Sequence, residues 1–168
     1  MKKDIKLYNM IFPVWLMVLI PWILLPAAAL NFGIDTLVVM LTLKHQGIAP
    51  KKTVWKKSII RVVIFGFLGD IAGALAMVGT SLLLDEAIAT RKAHDISSAM
   101  MYCPWKEPIA VILCILWMAL ASFIIYKLDK RFAFSKTELD HEQKKKLALS
   151  LAVFTTPILF LVPTTLFV

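Results

Sequence analysis

Four apolar stretches dominate this chain, at positions 11–43, 59–84, 109–128 and 147–168, and each could fill the hydrocarbon of a bilayer. A helical span needs about 20 apolar residues to cross roughly 30 Å of hydrocarbon. Inside lipid every backbone N–H and C=O must find its partner within the protein, so such stretches form helices. None of them alternates apolar and polar residues as the strands of a membrane barrel would. Composition agrees. The chain is 60% hydrophobic with a mean hydropathy of +0.78, against about 45–50% apolar for soluble domains. With 168 residues there is little room for a separate soluble unit. Residues 1–168 are read as one transmembrane domain: an all-α, polytopic integral membrane helical bundle.

The first stretch is too long for one span. As a single helix, positions 11–43 would extend about 50 Å at 1.5 Å per residue, beyond what tilt absorbs. Pro26 sits near its middle, where a proline removes a helix hydrogen bond. Two short helices, 8–25 and 27–43, with a tight turn at Leu25-Pro26, are therefore expected. Later spans are expected at 58–84, 108–128 and 147–168, making five transmembrane helices. A signal peptide ending near Ala27-Ala28-Ala29 is the rival reading of the start. Pro21 and Pro26 interrupt its apolar run, and a second apolar stretch follows at once, so an uncleaved hairpin is preferred.

Charge sets the orientation. Lys2, Lys3 and Lys6 precede the first stretch, and Lys44, Lys51, Lys52, Lys56, Lys57 and Arg61 follow it. Both flanks belong on the cytoplasmic side by the positive-inside rule. Of 19 Lys and Arg residues, only Arg91, Lys92 and Lys106 fall in the 85–107 loop assigned outside. The N-terminus is thus inside, the C-terminus outside, and the membrane a plasma (cytoplasmic) membrane. Trp105 and Tyr126 bracket the fourth span as interfacial aromatics. Trp55, among Lys51, Lys52, Lys56 and Lys57, rests its turn on the anionic headgroups of the inner leaflet; plain topology signals account for these residues better than recognition of a particular lipid. The net charge of +8 gathers at span ends, which excludes a nucleic-acid-binding face. The loop at 127–146 mixes both signs and reads as an exposed linker, with a brief helix from Lys136.

Asp35 and Asp70 carry the functional reading. Asp35 lies nine residues before Lys44, and Asp70 nine after Arg61. At 1.5 Å per residue each sits roughly 13–14 Å from the inner boundary. An acid at bilayer centre costs about 2.5–3.5 kcal/mol on insertion scales, so it normally faces protein or water. Two carboxylates at one depth, out of water, cannot both ionise easily. The chemistry this implies is sharing a proton or capturing a small cation. Asn31, Asp35 and Thr42 share one face of their helix, giving it a polar stripe. The ordinary alternative is that these acids hydrogen-bond across helices or cap a broken helix. Phe32-Gly33-Ile34-Asp35 echoes Phe67-Leu68-Gly69-Asp70, a faint hint of an inverted repeat.

Gly66, Gly69, Gly73, Ala76 and Thr80 recur at three- and four-residue steps. Such seams let helix backbones approach closely in lipid, within the chain or against a homo-oligomeric or other membrane partner. Thr155, Thr156, Pro157 and Pro163 predict a kinked last span. His94, Met100, Met101 and Cys103 are soft ligands in one loop, but without ligand spacing. Cys103 and Cys114 fit no metal or redox motif and read as free thiols. No HExxH, GxSxG, phosphate loop or Cys-x-x-Cys is present, so no enzyme, resident metal or cofactor is expected. Two functions remain. One is a proton- or small-cation-coupled transporter or channel component using Asp35 and Asp70, with Asn31 and Thr42 beside them. The other is a non-catalytic membrane subunit or assembly scaffold packing through the glycine seam.

Overall fold

The computed structural model describes residues 21–163, which form helices and no strand. Helix α1 spans Pro21–His45 and α2 spans Lys51–Leu82, which continues as a wider π-helical stretch, Leu83–Ile88. Next come α3, Arg91–Tyr102, and α4, Pro108–Leu128, which also ends in a π-helical turn, Asp129–Ala133. Helix α5, His141–Phe154, is followed by a 3-10 turn, Ile158–Leu161.

Two of these are long and apolar enough to cross a membrane: Lys51–Ile88 and Pro108–Ala133. Only 22% of the most apolar window of each is buried by the rest of the protein. On α2, Ile60, Ile64, Leu68, Ile71 and Leu75 are exposed at three- and four-residue steps; on α4, Ile109, Ile112, Ile115, Leu116 and Phe123 are exposed. A continuous apolar face of this size suits a non-aqueous surrounding rather than water.

Local chemistry sets the helix ends. Gly47, in the left-handed region at φ 66°, closes α1. The Ile48 N–H donates to the Leu43 carbonyl at 3.0 Å and the Gly47 N–H to the Lys44 carbonyl at 3.2 Å, a Schellman cap. Asp140 and Gln143 form a reciprocal capping box on α5, satisfying two N–H groups that a helix start leaves open. Thr90 caps α3 by accepting from the Ala93 N–H at 3.2 Å.

The architecture departs from the sequence expectation in three places. Helix α1 runs unbroken through Pro26, so there is no tight turn at Leu25-Pro26. A proline removes one N–H from the helix ladder, and the remaining bonds carry α1 through it. The span expected at 8–25 falls mostly outside the described residues. At the other end, α5 stops at Phe154 after 14 residues, about 21 Å of helix. Thr155 and Thr156 return their hydroxyls to the carbonyls of Leu151 and Ala152 at 2.8 and 2.7 Å, and Pro157 follows. The tail of the stretch expected at 147–168 lies beyond the described residues.

The third departure matters most for the site. The 127–146 segment is exposed only in part: Asp129, Ala133, Phe134, Thr137 and Leu139 are buried among exposed neighbours. Phe134 enters the core with Val39, Leu43, Val62, Leu147 and Leu151. Arg61 pins the segment from α2, donating through Nη1 to the carbonyls of Phe132 and Ala133 at 3.3 and 3.4 Å and to the Ser135 hydroxyl at 3.2 Å. A second core joins Met77 of α2, Ile96 and Met100 of α3, Cys114 of α4 and Phe160.

Candidate functional site

Helices α2 and α4 run antiparallel in close contact, and glycine makes the contact. A Cβ on Gly69 would collide with the Ile125 side chain and come within 3.1 Å of the Ala121 carbonyl oxygen. One on Gly73 would meet the Phe160 ring at 2.9 Å and the Ala121 Cβ at 3.0 Å. As α2 advances from 69 to 73, its partners on α4 recede from 125 to 121. Ala76 and Thr80 continue the face half-buried, with the Thr80 hydroxyl turned back to the Ala76 carbonyl at 2.8 Å. Gly66 differs from the other two: a Cβ there would touch no helix, only Asp35 Oδ2 at 3.9 Å.

That contact locates the acid. Asp35, 4% exposed, projects from α1 onto the α2 face carrying Gly66, and Asp70 lies one turn further along the same face. Extending the α2–α4 register one turn beyond Ile125 brings Asp129 to the Gly66 level, where Phe65 meets Phe132 at 6.1 Å between ring centroids. Asp129 is fully buried. Asp35 lies within electrostatic range of both Asp70 and Asp129. Three carboxylates from three helices are thus ranged in a strip along the α2 face between Gly66 and Asp70.

Among the described residues, none of the three has a partner that offsets its burial. Both carboxylate oxygens of Asp129 and one of Asp70 are enclosed and accept no hydrogen bond. The ion pairs among the described residues are Lys57–Glu138, His94–Asp85 and Lys145–Glu142, and none reaches the strip. Arg61, the nearest cation in sequence to Asp70 on α2, is engaged with the backbone carbonyls beyond Asp129. Asn31 and Thr42 are half-buried on α1 and give Asp35 no hydrogen bond.

Asp85, near the opposite end of α2, is served quite differently. It receives the Ser97 hydroxyl on Oδ2 at 2.7 Å and the His94 ring on Oδ1 at 3.1 Å. Ser81 in turn donates to Ser97 at 2.6 Å, because Ser97 has only one hydroxyl hydrogen to give. His94 is thereby drawn to Asp85, while Met100 is enclosed in the core and Cys103 and Cys114 are free thiols. The soft ligands of this loop do not converge. Among the described residues no group of three or more His, Cys, Asp or Glu is placed to hold a metal ion.

Sequence reasoning missed Asp129. Its neighbours Lys127, Lys130 and Arg131 mark an aqueous boundary by composition, and only tertiary packing turns its side chain inward. The one available signal was Phe132-Ala133-Phe134, an apolar run inside a nominal linker. The chain matches no protein-family model, no curated protein and no solved structure.

Proposed function

We propose that this chain is an integral membrane protein that carries protons along Asp129, Asp35 and Asp70, as a transporter or channel component. The observation that carries the reading is Asp129: a fully buried carboxylate with both oxygens unpartnered, beside a second acid. A buried charge left unpaired costs several kcal/mol, and such a group avoids the cost by taking up a proton. Acids that bind and release single protons in sequence make a relay, a recognised use of intramembrane carboxylates. A cation site instead needs several oxygens converging on one point, whereas these acids are spread along a helix face. Proton is therefore preferred to cation.

The proposed orientation sets the Lys-rich ends of α1 and α2 in the cytoplasm of a plasma membrane, within a five-span bundle. Asp129 is then nearest the cytoplasm, and Asp70 lies near mid-membrane. The scaffold alternative has less support from the seam, because Gly69 and Gly73 are occupied from within by α4 and Phe160.

The test is proton flux into proteoliposomes under an imposed gradient, followed with an enclosed pH-sensitive dye. Wild type should conduct, and Asp35→Asn, Asp70→Asn and Asp129→Asn should each remove most of the flux while helical content is unchanged. A silent wild-type protein, or three variants that conduct like it, would overturn the reading.

A further inference from the structure

A groove of about 390 Å³ opens between α1 and α2, lined by Thr36, Met40, Lys52, Trp55 and Lys56. Its volume lies within the range of small-ligand sites. The Trp55 indole N–H donates to Thr36 Oγ1 at 3.1 Å, and the Phe32 ring meets the indole edge-on with centroids 6.3 Å apart. The wall is therefore fixed in shape. Thr36 accepts in that bond and keeps its own hydroxyl hydrogen to give.

The rim is cationic. Lys52 and Lys56 stand one turn apart on α2, both exposed. Neither belongs to an ion pair among the described residues, whereas neighbouring Lys57 pairs with Glu138 at 3.6 Å. No carboxylate lines the groove. Below the rim the surface turns apolar: Met40, Thr36 and Phe32 follow one another by single turns along α1, flanked by the exposed Leu37 and Leu41. Two exposed lysines, without an ion pair among the described residues, thus flank an apolar groove that Thr36, Met40 and the Trp55 indole also line.

We propose that this groove is a binding site for one anionic phospholipid, its headgroup phosphate held by Lys52, Lys56 and Thr36 and one acyl chain laid along Met40 and Phe32. Charge complementarity selects the headgroup, and the apolar track selects a lipid over a free phosphate. Basic pockets between membrane helices bind anionic headgroups for the same reasons. The site is separate from the carboxylate strip and stands or falls independently of proton transfer.

Native mass spectrometry of the full chain in detergent tests it, with phosphatidylglycerol, phosphatidylcholine and inorganic phosphate added in separate titrations. Wild type should retain one phosphatidylglycerol in preference to phosphatidylcholine, and inorganic phosphate should not displace it. Lys52→Gln with Lys56→Gln should weaken retention about thirtyfold, at roughly 1 kcal/mol per lysine. Met40→Trp, which keeps both lysines but fills the groove, should also release the lipid, with unchanged helical content showing that the fold persists. Lys51→Gln with Lys57→Gln removes the same charge from the same turns and should leave retention intact. Equal binding of the two lipids, displacement by phosphate, or equal losses in the two double variants would overturn the proposal.

Discussion

The close approach of α2 and α4 can be tested with single methyl groups. Gly69→Ala introduces a Cβ that meets Ile125, itself 1% exposed, and a backbone carbonyl at 3.1 Å that cannot turn aside. Overpacking of this kind costs about 1–3 kcal/mol. Gly79→Ala, on the same helix, meets nothing within 4 Å. Both substitutions gain about 0.8–1.0 kcal/mol of helix propensity, to the extent that the unfolded state is non-helical. That gain cancels in the comparison, so Gly69→Ala should be less stable than Gly79→Ala by about 1–3 kcal/mol, or roughly 5- to 150-fold in the folding equilibrium. Titrating the protein with sodium dodecyl sulfate in mixed micelles, followed by near-UV circular dichroism, measures the difference. Ile125→Ala in the Gly69→Ala background should recover part of the loss, and only part, because the Ala121 carbonyl stays. Equal stability of the two alanine variants would mean that α2 and α4 are not in contact at Gly69, and the register that places Asp129 beside Asp35 would fall with it.

Arg61→Ala should free the 132–135 segment, at about 1–2 kcal/mol for charged bonds that are partly exposed, and amide exchange there should speed up. Arg61→Lys should not restore protection, since one ammonium cannot reproduce the guanidinium fork; full protection in that variant would refute the clamp. For orientation, single cysteines at Lys52, Lys144 and Arg91 in a Cys103→Ala, Cys114→Ala background should label from opposite faces, Lys52 and Lys144 together and Arg91 alone. Labelling of all three from one face would refute the topology.

What the sequence made legible follows from the range of the forces involved. Position 108–128 was readable as a helix, and the structure has it there, because a run of apolar residues between Pro108 and Lys127 needs no tertiary information. Gly69 and Gly73 were readable as a small-residue face by spacing alone, though not which element fills it. The segment after Leu128 was opaque. Its charges outweigh its apolar residues in any local average, and its buried side chains pack against distant residues of three other helices, with Arg61, some 70 positions away, bonded to two of its carbonyls. Pro26 misled for the opposite reason: a local rule about proline was applied where the helix continues regardless.

Two carboxylates packed against α2, Asp85 just past its C-terminal end and Asp129 near its middle, are served in opposite ways, and the contrast bears on what the buried acids are for. Asp85 is exposed, yet it receives a serine and a histidine, and a second serine supports the first. Asp129 is wholly enclosed and receives nothing. An acid serving as polar glue would show the first pattern, since only a bonded carboxylate returns what its burial costs. The cation best placed to neutralise the strip, Arg61, is held on the carbonyls of the turn that Asp129 opens. A strong partner there would stabilise the fold but would fix Asp129 in one protonation state. On the proposed proton-carrying reading, leaving the acid unpaired sacrifices stability in return for an exchangeable proton. Violations of local packing rules that go uncompensated in this way tend to sit at functional positions.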